Sequence, residues 1–535
     1  MTDLATELSR TFPKMVASGV DADRIAYSRD LWPRHHFAVR SGIIAANRPA
    51  AIIWPESTED VAALVRWARG RSIPIVPFGA GSGVCGGILP REDVLIVDMK
   101  RMTRWRDFDP SAPSLDVEAG HMGVPLETSL ERRGFTVGHF PSSILCSTVG
   151  GWLAGRSAGQ CSGYYGKIED IVAELECVTG RGEIVTLKAR TNGPNLVPLV
   201  IGSEGTLAVI SSARLRLHPA PIARGFASWS FRTTEEAWNA MREAFQAGFR
   251  PAVMRLYDPF DAMLARKGGV RGHAKHDPAI QSVDEGPKAP GFGATVLKQL
   301  LRYPQALNSL IESQAAEAML GGALVVTIFE GSDDEARGNT EACKALMTRL
   351  GGRDSGEAPA RRWLTHRYSV SYRMSPVMRT GAFVDTMEVA APWSKLGALY
   401  DGIRRALGKH VFVMAHFSHA YPDGCCIYFS FAGSAARDAH GESWDAACER
   451  TYDRAWRAAL AAAVEAGGTI AHHHGVGRSK APQMRAELGG GIEAVRALKK
   501  AFDPDGILNP GALIPPLDPE PYRPIAGRAR AGASL

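Results

Sequence analysis

The chain has 535 residues, 45% hydrophobic and 22% charged, with a formal net charge of +6. That length exceeds one ordinary core and suits roughly three or four domain-sized units, and the composition excludes a disordered or fibrous protein. The positive balance is mild and no Lys/Arg block stands out, which argues against nucleic acid and fits a pocket for an anionic small molecule.

In chain order, residues 1–48 read as a polar, Arg-rich lead-in without the apolar core of a secretory signal. From Ala51 short elements alternate. Strand Ala51–Trp54 precedes a helix capped by Ser57 or Thr58, with Glu59 and Asp60 in its first turn and Val61, Leu64, Val65 and Ala68 as its apolar stripe. Strands are predicted at Ile73–Val76, Val94–Val97 and Leu115–Ala119, a pattern closer to α+β than to strict βαβ repeats. Between residues 225 and 470 helical patterns dominate, as at Glu235–Ala247 and Trp444–Ala466, with strands Val411–Ser418 and Cys426–Phe431 among them. Residues 268–293 are polar and aperiodic, a predicted loop. A helix over 489–502 leads into Phe502–Gly511, and the last twenty residues read as a tail. The longest apolar run, Ala323–Phe329, is strand-sized and far short of the ~18 residues a membrane helix needs. Eight cysteines without a Cys-x-x-Cys pair suit free thiols in a reducing compartment, and with no Ser-Lys-Leu ending the expectation is cytoplasmic.

Three glycine-dense loops carry the chemistry. Pro77–Gly87 has a formal Gly-x-Gly-x-x-Gly at 81, 83 and 86, yet Ile88-Leu89-Pro90 follow where a nicotinamide-type fingerprint would open a helix. It reads as a phosphate cradle or a plain turn. A second loop runs from Pro141 through Gly150, Gly151, Gly155 and Gly159, and a third occupies Ile201–Ile210. Far downstream lies His472-His473-His474-Gly475-Val476-Gly477, which suggests proton handling, anion binding or a metal site. On an extended segment His472 and His474 would share one face and His473 the other.

Ser147-Thr148-Val149-Gly150-Gly151-Trp152, Tyr165-Gly166-Lys167-Ile168-Glu169-Asp170, Gly202-Ser203-Glu204-Gly205-Thr206-Leu207, Ile427-Tyr428-Phe429 and His472–Gly477 occur in this order. Together they resemble the FAD-linked oxidases of the vanillyl-alcohol oxidase / p-cresol methylhydroxylase superfamily, most nearly its alkyl-dihydroxyacetone-phosphate synthases. The likeness spans residues 50–515 and is patchy between 226 and 470. It implies an α+β, two-domain FAD-binding fold with a substrate (cap) domain. The implied bounds are a lead-in 1–48, an FAD-binding domain 49–225, a cap 226–470, a returning segment 471–515 and a tail 516–535.

The resemblance also implies FAD. Pro77, Phe78, Gly79, Ala80, Gly81, Ser82 and Gly83 would hold its pyrophosphate. Ser142, Ser143, Cys146, Ser147 and Thr148, with Gly155, Arg156, Ser157 and Ala158, would flank the rest, and Glu204, Gly205, Thr206, Leu207, Val209 and Ile210 would complete the site. Tyr428 is the implied acid/base, with His472, His473, His474 and Arg255 required for activity. Arg373, or alternatively Arg379, is the implied substrate-binding arginine. Without the resemblance, Tyr428 reads as a core aromatic and the arginines as surface ion pairs. A phenol with its ordinary pKa of about 10 acts as a base only beside cationic or hydrogen-bonding partners, which Arg255 and the histidines would supply.

Two departures matter. Cys146 stands where some FAD-linked oxidases bond the flavin ring, but those also use a histidine in the pyrophosphate loop, and none lies between Pro77 and Gly87. FAD is therefore expected to be non-covalent. His416-Phe417-Ser418-His419 with Pro422-Asp423-Gly424 resembles the divalent-metal segment of D-2-hydroxyacid dehydrogenases but lacks its Asn-x-His portion, so no metal is expected. The implied activity is exchange of acyl for alkyl on dihydroxyacetone phosphate through a flavin N5 adduct, a redox-neutral step of ether-lipid synthesis. The alternative is an FAD-dependent dehydrogenase or oxidase of an alcohol or 2-hydroxy acid, with hydride passing to N5, because one scaffold hosts both chemistries. In either case the partner is a small molecule, anionic or lipid-like, bound over the flavin at the domain interface. Peripheral membrane contact and homodimerisation stay open.

Overall fold

A computed structural model describes residues 3–44, 47–189, 192–266, 298–311, 320–368, 377–378, 380–435 and 443–515. The chain forms two compact units, Met1–Ala220 with Thr469–Leu535, and Pro221–Gly468. The predicted loop 268–293 and the tail 516–535 lie outside the described residues.

In the first unit β1 (Val16–Ser18), β2 (Ala51–Trp54), β3 (Ile75–Phe78) and β4 (Leu95–Asp98) form a sheet ordered β1-β2-β4-β3. β1 is antiparallel to β2, whereas β2, β4 and β3 run parallel. Parallel strands need a crossover, and the helix Thr58–Arg69 provides it between β2 and β3. Ser57 is its cap, accepting from the Asp60 amide at 3.1 Å. Val61, Leu64, Val65 and Ala68 are fully buried in one core with Ile53, Ile75 and Leu95, each large side chain there contributing ~1.5–3 kcal/mol. The strand expected at Ile73 starts two residues later, after Pro74, which has no amide to donate to a ladder. Residues 4–40, expected as a polar lead-in, are folded into this unit. They form helices Leu4–Thr11, Asp21–Ala26 and His35–Arg40 together with β1, and Ala5 and Leu8 join the core.

An antiparallel sheet follows, β5 (Trp105–Asp109), β6 (Ser114–Glu118), β8 (Val172–Thr179), β9 (Ile184–Lys188) and β10 (Ala208–Arg216), ordered β5-β6-β10-β8-β9. β7 (Phe135–Thr136) pairs with β11 (His218–Pro219) as a short ribbon.

The second unit is one seven-stranded antiparallel sheet. Its strands are β12 (Ala223–Phe231), β13 (Val253–Tyr257), β14 (Ala323–Gly331), β15 (Arg353–Asp354), β16 (Phe383–Pro392), β17 (Phe412–Ala420) and β18 (Gly424–Gly433), ordered β15-β12-β14-β13-β17-β18-β16. Helices Thr234–Gln246 and Trp444–Glu465 are capped by Thr233 and Ser443, whose side chains accept amides three residues on. Leu256, Phe417, Ile427 and Phe429 are fully buried on one side of the strands, so their alternate neighbours turn to the other. Register then decides the site: Tyr257 opposes His416, His416 opposes Tyr428, and Tyr428 opposes Glu388. Directly opposed residues of antiparallel strands share a face, so these four make a row across four strands.

Candidate active site

In the first unit β3 ends at Phe78 and the chain enters the first glycine loop, after which no helix forms before β4. A Cβ on Gly79 would lie 2.5 Å from Thr148 Oγ1, the atom that caps helix Val149–Ala154 by accepting from the Gly151 amide at 3.2 Å. Gly81 sits at φ +67, where a Cβ would meet the Phe78 ring at 2.8 Å. The third loop joins the second through the Gly202 and Glu204 amides, which donate to the Leu153 and Ala154 carbonyls at 2.9 Å each. Gly205 brings bare backbone against Pro77, where a Cβ would stand 3.0 Å from the ring. Pro77–Gly81, Thr148–Ala154 and Gly202–Gly205 thus converge with side-chain volume excluded, which suits a flat cofactor with anionic phosphates approached by main-chain amides. Gly79→Ala is expected to release bound FAD and to cost about 1–3 kcal/mol of stability. Flavin absorbance after gel filtration and a thermal melt check it, and full flavin retention would remove this loop from the cradle.

Other implied cofactor residues are engaged as follows. Arg156 pairs with Glu169 at 3.0 Å, so its charge is already countered. Ser147 Oγ accepts from Trp152 at 2.7 Å, and Ser142 Oγ accepts from Gln160 at 3.1 Å. The half-buried Cys146 ends a short turn, its amide donating to the Ser143 carbonyl at 2.8 Å. Ala158, Thr206, Leu207, Val209 and Ile210 are buried, and the Val209 side chain belongs to the hydrophobic core, which leaves its backbone for a ligand.

The segment after Thr469 returns to this unit. Both Glu204 carboxylate oxygens accept main-chain amides, Val476 at 2.5 Å and Gly477 at 2.8 Å. Burial pushes this carboxyl up, while those two amides and Lys480 pull it down. Asn509 Nδ2 donates to the Glu204 and Gly87 carbonyls at 2.7 and 2.8 Å. Gly477, at φ +54, leaves only 2.1 Å between a built Cβ and the Cys85 carbonyl. Hence the turn after the histidines is tied to the first and third loops. The histidines themselves are bent, not extended, so the expected alternation of faces does not occur. The His473 ring contacts both neighbours, with centroids 5.2 Å from His472 and 4.7 Å from His474. Burial, then His474, His472, Lys480 and His139, hold His473 well below the ordinary imidazole range.

His139 was not singled out in the sequence, where only its place just before the second loop could have flagged it. It is fully buried, with Nε2 2.7 Å from Ser157 Oγ and its ring 4.9 Å from Trp152. Burial lowers its pKa from 6.5 to about 3. The folded value lies below the unfolded one, so the neutral ring's contribution is complete above pH 6.5 and is lost as pH falls toward about 3. That loss runs at about 1.4 kcal/mol per pH unit. Melting temperature should therefore drop between pH 7 and 5, and His139→Gln should flatten the slope. Equal slopes in both proteins would remove His139 as the cause.

In the second unit the row across the sheet becomes a cluster. Tyr428 stacks flat on His416, centroids 4.9 Å apart at 11°. His416 Nδ1 lies 3.2 Å from Asp261 Oδ2, carried by helix Pro259–Arg266. A bulge after Phe417 returns His419 to the same face, its ring 6.3 Å from Tyr428. Arg255 is 9% exposed and lies over Trp363 and Tyr257 at 5.4 and 5.9 Å, with no carboxylate at ion-pair distance among the described residues. Burial, reinforced by Cys426 and Glu388, pushes the Tyr428 phenol well above 10 despite Arg255. Desolvation thus outweighs the guanidinium and favours the neutral phenol over the phenolate. Asp261, Tyr257 and Trp363 carry no signal of function in the sequence, and His416 stands out there only through its likeness to a metal segment, because cross-strand register is invisible in one sequence. Arg373 and Arg379 lie outside the described residues. Among those residues no helix is long and apolar enough to cross a membrane.

Comparison with known proteins agrees with this architecture. Residues 49–188 match the FAD binding domain family, and residues 220–513 match the C-terminal domain of FAD linked oxidases. The chain is 28% identical over 521 residues to alkyldihydroxyacetonephosphate synthase of Trypanosoma brucei brucei, covering 95% of this chain and 79% of the relative. It is 26% identical over 499 residues to glycolate oxidase subunit GlcD of Bacillus subtilis (strain 168), covering 92% and 93% respectively. A solved alkyldihydroxyacetonephosphate synthase superposes with a TM-score of 0.70 at 26% identity, covering 94% of this chain and 84% of that one. This chain belongs to the FAD-linked oxidases, FAD-dependent enzymes with the two-domain α+β fold its motifs implied.

Proposed function

We propose that the protein exchanges acyl for alkyl on a dihydroxyacetone phosphate, as an alkyl-dihydroxyacetone-phosphate synthase does. The observation that supports this reading is the buried Arg255 guanidinium, which no carboxylate neutralises among the described residues, beside a protonated phenol. An uncompensated buried charge costs several kcal/mol, and an anionic substrate group offsets that cost. In this reading Pro77–Gly83, Ser142–Thr148, Gly155–Ala158 and Glu204–Ile210 hold FAD non-covalently. When bound, the flavin supplies an electrophilic ring nitrogen able to take a hydride or a carbon skeleton. Arg255, with Arg373, holds the anion. Tyr428 donates a hydrogen bond to the departing fatty-acid carboxylate, and His472–His474 move protons, with His473 neutral at physiological pH.

A second reading, oxidation of an alcohol or 2-hydroxy acid, is favoured by the likeness to the glycolate oxidase subunit along 92% of this chain. Arg255 would then meet the substrate carboxylate. One experiment separates the two. Transfer of labelled long-chain alcohol into acylated dihydroxyacetone phosphate, ending with oxidised flavin, supports the synthase. Bleaching of the flavin band by an anaerobic hydroxy acid, without such transfer, sinks it.

A further inference from the structure

We propose that Asp261 and His416 form an acid–base dyad in the second unit, in which His416 Nε2 takes the proton of a substrate hydroxyl while Tyr428 remains the proton donor. The assignment rests on reading the Arg255–Tyr428 cluster as the active site, and it names a base other than the neutral phenol.

The geometry orders the dyad. Asp261 Oδ2 stands 3.2 Å from His416 Nδ1, so the carboxylate accepts from Nδ1–H and leaves the lone pair on Nε2. Nε2 itself has no hydrogen-bond partner among the described residues. Asp261 is fixed in turn, its amide donating to Asp258 Oδ1 at 2.9 Å. Asp258 is almost fully buried, and its Oδ2 accepts from Arg404 at 2.9 Å and from the Ala415 amide at 2.7 Å. The imidazole plane is set by Tyr428 at 4.9 Å and by Tyr257 at 6.0 Å. A base held by a carboxylate at one nitrogen and open at the other needs no rearrangement to act.

Among the described residues, charged and titratable groups face His416 from three other elements, and His419 shares its face on β17. Asp261 projects from its helix, Arg255 and Tyr257 from β13, and Tyr428 from β18. Burial and Arg255 hold the imidazole below its ordinary range, with Asp261 pulling it back up. Two groups driven apart in this way, a neutral imidazole and a neutral phenol, divide the base and acid roles at pH 7. In the step itself the Nε2 lone pair forms an N–H bond, the substrate O–H bond breaks, and its electron pair stays on oxygen. The imidazolium that results is countered by Asp261. In the exchange reaction the hydroxyl belongs to the incoming alcohol and the fatty acid leaves as carboxylate, so the proton passes to solvent. In the oxidation it belongs to the substrate alcohol.

The test uses the flavin-loaded protein. His416→Gln should lower kcat by about 10²–10⁴-fold with KM changed by no more than about twofold and flavin retained. The acid limb of the pH profile, which wild type should show below the usual imidazole range, should vanish in that variant. Asp261→Asn should lower kcat by about tenfold or more, and Asp261→Glu should restore part of it. Nitrogen-15 histidine spectra, with the His416 signal identified by its loss in His416→Gln, should show the neutral Nδ1–H tautomer at pH 7. A kcat within twofold of wild type, an unmoved acid limb, or an Nε2–H tautomer would each overturn the dyad. If wild type catalyses neither exchange nor flavin bleaching, the proposed function fails, and the tautomer alone decides the dyad.

Discussion

Tyr428→Phe should reduce turnover by about 10²–10⁴-fold while the protein keeps its flavin and its fold. The substitution removes one oxygen and leaves the ring that stacks on His416 at 4.9 Å. Because the phenol is neutral at working pH, its loss strands no charge, and the stability change should stay near about 1 kcal/mol. A proton donor pushed above the neutral range has no limb of its own near pH 7. The variant should therefore keep the acid limb of the wild-type pH profile at reduced height. Steady-state turnover across pH, with flavin absorbance as the control for integrity, measures all of this. Near-wild-type turnover would exclude Tyr428 from the chemistry.

Arg255→Met should act in opposite directions on function and stability. The side chain is 9% exposed and lies over the Tyr257 and Trp363 rings, with no carboxylate at ion-pair distance among the described residues, so it carries a desolvation cost in the absence of an anion. Methionine fills much of the same volume without that cost, and stability should rise by about 1–3 kcal/mol. A substrate anion, however, loses its buried partner. That loss is worth about 2–4 kcal/mol, equivalent to a KM increase of about 30- to 1,000-fold. Chemical denaturation and KM in the same buffer give both signs. An unchanged KM for an anionic substrate would remove Arg255 from anion binding, and a destabilised variant would show that the guanidinium is structurally required.

Much of the local structure was legible because it is decided by near neighbours. The helix at Thr58 has its cap, its acidic first turn and its apolar stripe within twelve residues, and it forms as expected. The long helix at Trp444 and strands β17 and β18 likewise follow from short-range pattern. The three glycine loops could be recognised one by one, since bare backbone and positive φ leave a mark in composition. Failures came where partners are remote. The first forty residues look polar, yet Leu8 packs into the core beside Val61 and Ile75. The histidine run looks extended, yet it is bent, and Glu204, more than 260 residues earlier, accepts the two amides of the turn that follows it.

The chain's own order of residues thus determined that bare-backbone turns, three imidazoles, a strand tyrosine and a strand arginine exist in an α+β flavoprotein. Only tertiary structure decided what each of them meets. Strand register set Tyr428 against His416 and Glu388, and burial moved the phenol up and the imidazole down. Both effects depend on which segments exclude water from a given atom, a property of the folded assembly of strands and not of any one stretch of sequence.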